Sequence, residues 1–119
     1  MVGQLRSVVL DCPNPSELAS FYEELLGAER LDGDDDTWVV IVTNGTRVAF
    51  QLAPEYEPPT FPDPRGSQQF HLDVLVDDVE EAEPKVLALG AKPLRREDDD
   101  QFRVYADPVG HTFCLMWLT

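Results

Sequence analysis

Leu26-Gly27-Ala28 and Leu89-Gly90-Ala91 are one tripeptide met twice, the two glycines 63 residues apart. Asp34-Asp35-Asp36-Thr37-Trp38 and Asp98-Asp99-Asp100-Gln101-Phe102 repeat in the same order, the aromatic residues 64 apart. Two landmarks that agree within one residue mark a duplicated module.

Working outward from Leu26-Gly27, the preceding residues have every mark of a helix. Asn14 can cap it, Pro15 suits its first position, and Glu17 can close a capping box back to Asn14. Leu18, Phe21, Tyr22, Leu25 and Leu26 then form one apolar stripe. The spacing predicts a helix over 15–26, ended by Gly27, which enters the left-handed conformation cheaply. Leu5 to Asp11 is dense in β-branched residues and predicts a strand centred on Ser7-Val8-Val9-Leu10. Beyond Gly27, short strands are expected at Ala28 to Leu31 and Thr37 to Val42. Asn44-Gly45 then turns the chain into an alternating strand from Arg47 to Leu52. The order is βαβββ.

Residues 54–67 carry five prolines, too many for ladder pairing, and predict an extended linker. The pattern then restarts. Gln69 to Val76 predicts a strand, Asp77 or Asp78 a cap, and 79–89 a helix with Val79, Ala82, Val86 and Leu89 as its stripe. Pro84 removes a helical donor, so a kink or a distorted first turn is expected there. Ala91 to Arg95, Phe102 to Ala106 and Thr112 to Leu118 supply three more strands, with Asp107-Pro108-Val109-Gly110 as the last turn. The fold class is therefore α+β, with two tandem βαβββ modules at about 4–53 and 69–119 in a single domain, joined by a linker at about 54–68. Each half offers a curved, half-apolar sheet that needs cover, and two such sheets facing each other would enclose a cleft.

The chain has 119 residues, 43% hydrophobic and 9% aromatic, which fits a globular domain with a real core. No run is long enough for a membrane span. Met1-Val2-Gly3-Gln4 lacks the plan of a signal peptide, and Cys12 and Cys114 are too few for a disulfide scaffold, so a cytoplasmic protein with reduced thiols is expected. Nine basic residues against 23 acidic give −14, which argues against nucleic acid and anionic membranes as partners. Such a charge would attract a cationic ligand. The competing reading is a solvated acidic surface, since the charge gathers in turn-like runs.

Three local signatures carry a resemblance across essentially the whole chain: Phe21-Tyr22 to Leu26-Gly27, Gln69-Phe70-His71-Leu72-Asp73-Val74 followed by Asp77-Asp78, and Asp107-Pro108-Val109-Gly110-His111. With them the chain resembles the vicinal oxygen chelate superfamily of glyoxalases, extradiol dioxygenases and fosfomycin- and bleomycin-resistance proteins. The proline-rich linker, Pro58 to Pro64, is similar to that of small glyoxalase-like proteins. The resemblance implies four cleft positions, on the first, fourth, fifth and eighth strands, which metal-using members fill mostly with His and Glu. Here they hold Ser7, Gln51, His71 and Cys114. Repeat spacing pairs Ser7 with His71 and Gln51 with Cys114.

Only His71 is a strong ligand, and Gln51 is a neutral oxygen donor. Ser7 is poor, and Cys114 replaces the expected carboxylate. No metal or other cofactor is therefore expected; if a metal is held, Gln51 and His71 hold it. His71 is expected to hydrogen-bond within the cleft. Asp73, on the same strand face, is placed to orient it, with a solvated or turn-bonded carboxylate as the competing reading. Trp38, Phe102, Tyr105 and Trp117 are candidates for lining the cleft, against ordinary core packing. His111 is read as a solvent-side or turn-stabilising residue, and Cys114 as an inert small side chain.

The resemblance implies a small-molecule-binding protein that sequesters or transforms an organic compound. In one form it is a lyase or isomerase with His71 as acid or base and Gln51 polarising a carbonyl. In the other it is a non-catalytic binder of the bleomycin-resistance kind. The alternative is a metal-dependent lyase, isomerase or dioxygenase using His71 and Gln51. A homodimer is expected, on apolar surface such as Tyr56 and Phe61.

Overall fold

A computed structural model describes residues 2–31, 33, 35–60, 70–96 and 101–118, with the backbone alone for Arg95 and Arg96. Phe61, Gln69 and the aspartates at 34 and 98–100 lie outside the described residues, as does most of the predicted linker. The chain forms two compact units, Met1–Tyr56 and Glu57–Thr119, and the break falls inside the predicted linker. No described helix is long and apolar enough to cross a membrane.

The first unit runs β1 (Val8–Cys12), α1 (Pro15–Leu26), β2 (Glu29–Arg30), β3 (Trp38–Thr43) and β4 (Thr46–Leu52). Asn14 caps α1 as expected: its backbone is extended, and its Oδ1 accepts from the Glu17 N–H at 3.2 Å. A cap of this kind contributes about 1 kcal/mol. At the other end Gly27 takes φ 61° and donates its N–H to Glu23. The stripe is buried at Leu18, Phe21 and Tyr22 and only half-buried at Leu25 and Leu26. Tyr22 stacks on Phe50 of β4 with ring centroids 5.6 Å apart, which fixes α1 on one face of the sheet. Burying side chains of this size contributes about 1.5–3 kcal/mol each. The strands pair in the order β1-β4-β3-β2, with β1 and β4 parallel. Asn44 and Gly45 both have positive φ (49° and 78°), the conformation a tight hairpin turn requires.

The second unit repeats the plan: β5 (Leu72–Leu75), α2 (Val79–Ala88), β6 (Lys92–Arg96), β7 (Phe102–Ala106) and β8 (Thr112–Met116), in sheet order β5-β8-β7-β6. Asp78 is the cap, accepting from the Glu80 N–H at 2.9 Å. Pro84 sits inside α2, between Glu83 and Lys85. The stripe holds at Val79 and Val86, but Leu89 lies beyond the helix and is exposed. Arg103, buried on β7, anchors α2 instead: its Nη1 donates to Glu83 at 2.9 Å, and Nη2 reaches Glu80. Tyr105 donates its hydroxyl to the same Glu83 carboxylate at 2.8 Å. Asp107 is buried and accepts from the N–H groups of Val109 (2.9 Å) and His111 (3.0 Å), closing the turn into β8. His111 is thus a turn residue, as read from sequence.

Candidate functional site

Side chains alternate across a strand, so each sheet has one face beneath its helix and one without. In the second unit Arg103, Tyr105, Phe113 and Leu115 occupy the helix face, and Tyr105 stacks on Phe113 at 5.5 Å. Tyr105 is therefore core, not part of a binding surface. Residues two apart from one another on the opposite parity, Asp73 on β5, Cys114 on β8 and Val104 on β7, fall in one row of the helix-free face.

His71, just ahead of β5 and two residues before Asp73, lies on the same face. Its Nε2 lies 3.2 Å from Asp73 Oδ1, with the imidazole 37% exposed. One ligating atom each from His71, Asp73 and Cys114 falls within 4.8 Å of the others. A carboxylate at that distance favours a proton on Nε2 and leaves Nδ1 as the acceptor. Cys114 is buried, and burial first, then the Asp73 carboxylate, pushes its thiol up to about 11. It is a neutral thiol at pH 7 and a poor nucleophile, in line with its reading as inert. Phe102 keeps 37% of its surface exposed on the same face, and Leu75 is exposed on the far side of Met116 from it. Thr112, also on this face, has a buried hydroxyl with no partner among the described residues, a state that costs about 1–3 kcal/mol.

The first unit is different. Ser7 precedes β1 rather than lying at its centre, and its hydroxyl accepts from Arg47 Nε at 3.4 Å. Gln51 is exposed and lies opposite Asp11 on one side and Trp38 on the other. Trp38 is 36% exposed on the same face. The ladder corrects the pairing of Gln51 with Cys114. Asp73 lies opposite Cys114, while its equivalent 64 residues earlier, Val9, lies opposite Ala49. The neighbouring strand agrees, because Trp38 faces Gln51 where its equivalent Phe102 faces Met116. Ala49, fully buried, therefore occupies the position that Cys114 has in the second unit. Extending the ladder one row sets Ser7 opposite Arg47, four residues along β4 from Gln51, about 13 Å at strand rise. Ser7 and Gln51 cannot share one ion.

The structure thus brings His71, Asp73 and Cys114 together, with Phe102 on the same face, and holds Ser7, Gln51 and Trp38 on the helix-free face of the other unit. Trp117 is half-buried, its ring 5.8 Å from the Arg103 guanidinium, and supports the helix-side network. Tyr56 is half-buried as well, so it offers less apolar surface than expected. Thr112 and Arg47 were not anticipated; period-2 counting from Cys114 and from Gln51 would have put them on these faces.

Three donors of three kinds suit a borderline ion such as Zn2+ better than a hard one such as Mn2+, and the Cys114 thiol must lose its proton to ligate.

No curated protein matches the sequence. Solved structures do match in fold. A glyoxalase/bleomycin resistance protein/dioxygenase family enzyme from Burkholderia phytofirmans PsJN superposes with TM-score 0.78 at 18% identity, covering 98% of this chain and all of the other. A mutant of the fosfomycin resistance protein FosX from Listeria monocytogenes, solved with Mn(II) and 1S,2S-dihydroxypropylphosphonic acid, gives 0.77 at 16% identity over 100% and 95% of the two chains. A possible glyoxalase from Bacillus cereus gives 0.72 at 15%, over 98% and 99%. A sequence model of the glyoxalase-like domain matches residues 7–116, nearly the whole of both units. With its paired βαβββ units and that match, the chain belongs to the glyoxalase-like domain family.

Proposed function

We propose that the protein binds a small organic molecule on the helix-free face of the second unit, with His71 as the polar anchor. The observation that carries this reading is the oriented imidazole: His71 is partly exposed, held against Asp73, and presents Nδ1 on a face that also exposes Phe102 and Leu75. A ligand can lay apolar area on those side chains while its donor meets His71. The same Nδ1 can take a proton from a bound substrate, and Asp73 then stabilises the imidazolium. The buried Thr112 hydroxyl would gain a partner if a ligand group or water reached it.

The His71, Asp73 and Cys114 cluster favours a second reading, in which these residues hold a divalent ion. Bound there, such an ion supplies Lewis acidity to a substrate oxygen. A homodimer in the cytoplasm is the proposed setting for both; sedimentation at twice 13.4 kDa checks the assembly.

Native mass spectrometry and elemental analysis of protein purified without chelator distinguish the two. The first reading expects an organic adduct that His71→Ala weakens about tenfold, the scale of one hydrogen bond of 1–2 kcal/mol. A full equivalent of metal surviving desalting, and lost in His71→Ala, overturns it in favour of the second. No adduct in either protein sinks the first reading.

A further inference from the structure

The first 56 residues contain ten acidic and three basic side chains. Arg30 is bound to Glu23 and to Ser16 on α1. The other two, Arg6 and Arg47, line one hollow of about 110 Å³ at the start of β1 and the β3–β4 turn. Its other walls are Leu5, Ser7, Val8, Gly45 and Thr46, so among the described residues the lining holds two hydroxyls and no carboxylate.

From this arrangement we propose that the hollow is a subsite for an oxyanion of the phosphate kind, either free or carried on a small molecule. Arg47 is half-buried and held by its Nε bond to Ser7, and its terminal nitrogens have no partner among the described residues. That leaves the paired N–H groups of the guanidinium for two-point contact with an oxyanion. Arg6 supplies a second positive charge, and Thr46 a hydroxyl donor. The overall charge of −14 does not forbid this, because screening confines distant charges to roughly 8–10 Å, while the two arginines act at contact. The site is built from first-unit residues alone and is independent of the reading of His71.

The test is titration of the intact protein with inorganic phosphate at constant ionic strength, chloride replacing phosphate, followed by calorimetry. Saturable binding of one phosphate per chain is expected. Arg47→Gln and Arg6→Gln should each weaken it about tenfold or more, and Arg30→Gln should leave it unchanged. Arg6 is exposed, so its variant keeps the test valid if Arg47→Gln fails to fold. No saturable binding, equal affinity in all three variants, or binding of acetate in place of phosphate would each overturn the proposal.

Discussion

Replacing Glu83 by alanine tests whether one carboxylate fastens α2 to its sheet. Glu83 is 22% exposed and accepts from two groups beneath it, Arg103 Nη1 at 2.9 Å and the Tyr105 hydroxyl at 2.8 Å. Hydrogen bonds to a charged partner contribute about 1.5–3 kcal/mol each, and they are not additive here because the two donors bind the two oxygens of one carboxylate. Arg103 itself is 8% exposed and after the change would keep, among the described residues, Glu80 on the outer side of α2 and the Trp117 ring. Leaving a buried guanidinium half-compensated adds to the cost. Glu83→Ala should therefore lose about 3 kcal/mol, or about 10 °C in Tm, although alanine is the better helix former. Tyr105→Phe should lose about 1.5 kcal/mol. The double variant should cost less than the two together, since both remove the same bond. Urea unfolding in a Trp38→Phe background lets Trp117 report on the second unit alone. A loss under about 0.5 kcal/mol for Glu83→Ala, or strict additivity, would refute the account.

Cys114 gives a pH dependence. Its folded pKa of about 11 stands above the ordinary 9.0, so the folded state holds the proton more tightly, and stability present below pH 9 falls as pH climbs from 9 towards 11. The fall is at most about 2.7 kcal/mol; urea midpoints at pH 8 and 10.5 should show it in the wild type and not in Cys114→Ala, and equal slopes would contradict it. Gly110 has φ 102°, and a Cβ there would meet Pro58 Cβ at 2.7 Å, so Gly110→Ala should lose about 2 kcal/mol or more. Gly3→Ala, in open space, should not, and a thermal melt in which the two behave alike would count against the argument.

The linear chain determined the local elements, because the determinants are local. Asn14, Pro15 and Gly27 delimit α1 within a turn of each end, and Asn44-Gly45 sets its hairpin, whatever the rest of the chain does. The duplication was equally legible, since two sequence landmarks at one spacing imply two copies of one unit. Pro84 lies within α2 next to Glu83, whose bonds to Arg103 and Tyr105 tie the helix to its sheet from outside, which no local signal reveals. Only the tertiary structure could decide the partners of the candidate residues. Sequence spacing cannot see a ladder register, and the parallel pairing of β5 with β8 is offset by one residue from that of β1 with β4. The ladder sets Ala49, two residues before Gln51 on the same face, in the place equivalent to Cys114, beside which His71 and Asp73 cluster. Two residues along a strand move a side chain by more than about 6 Å, enough to separate a ligand from a bystander.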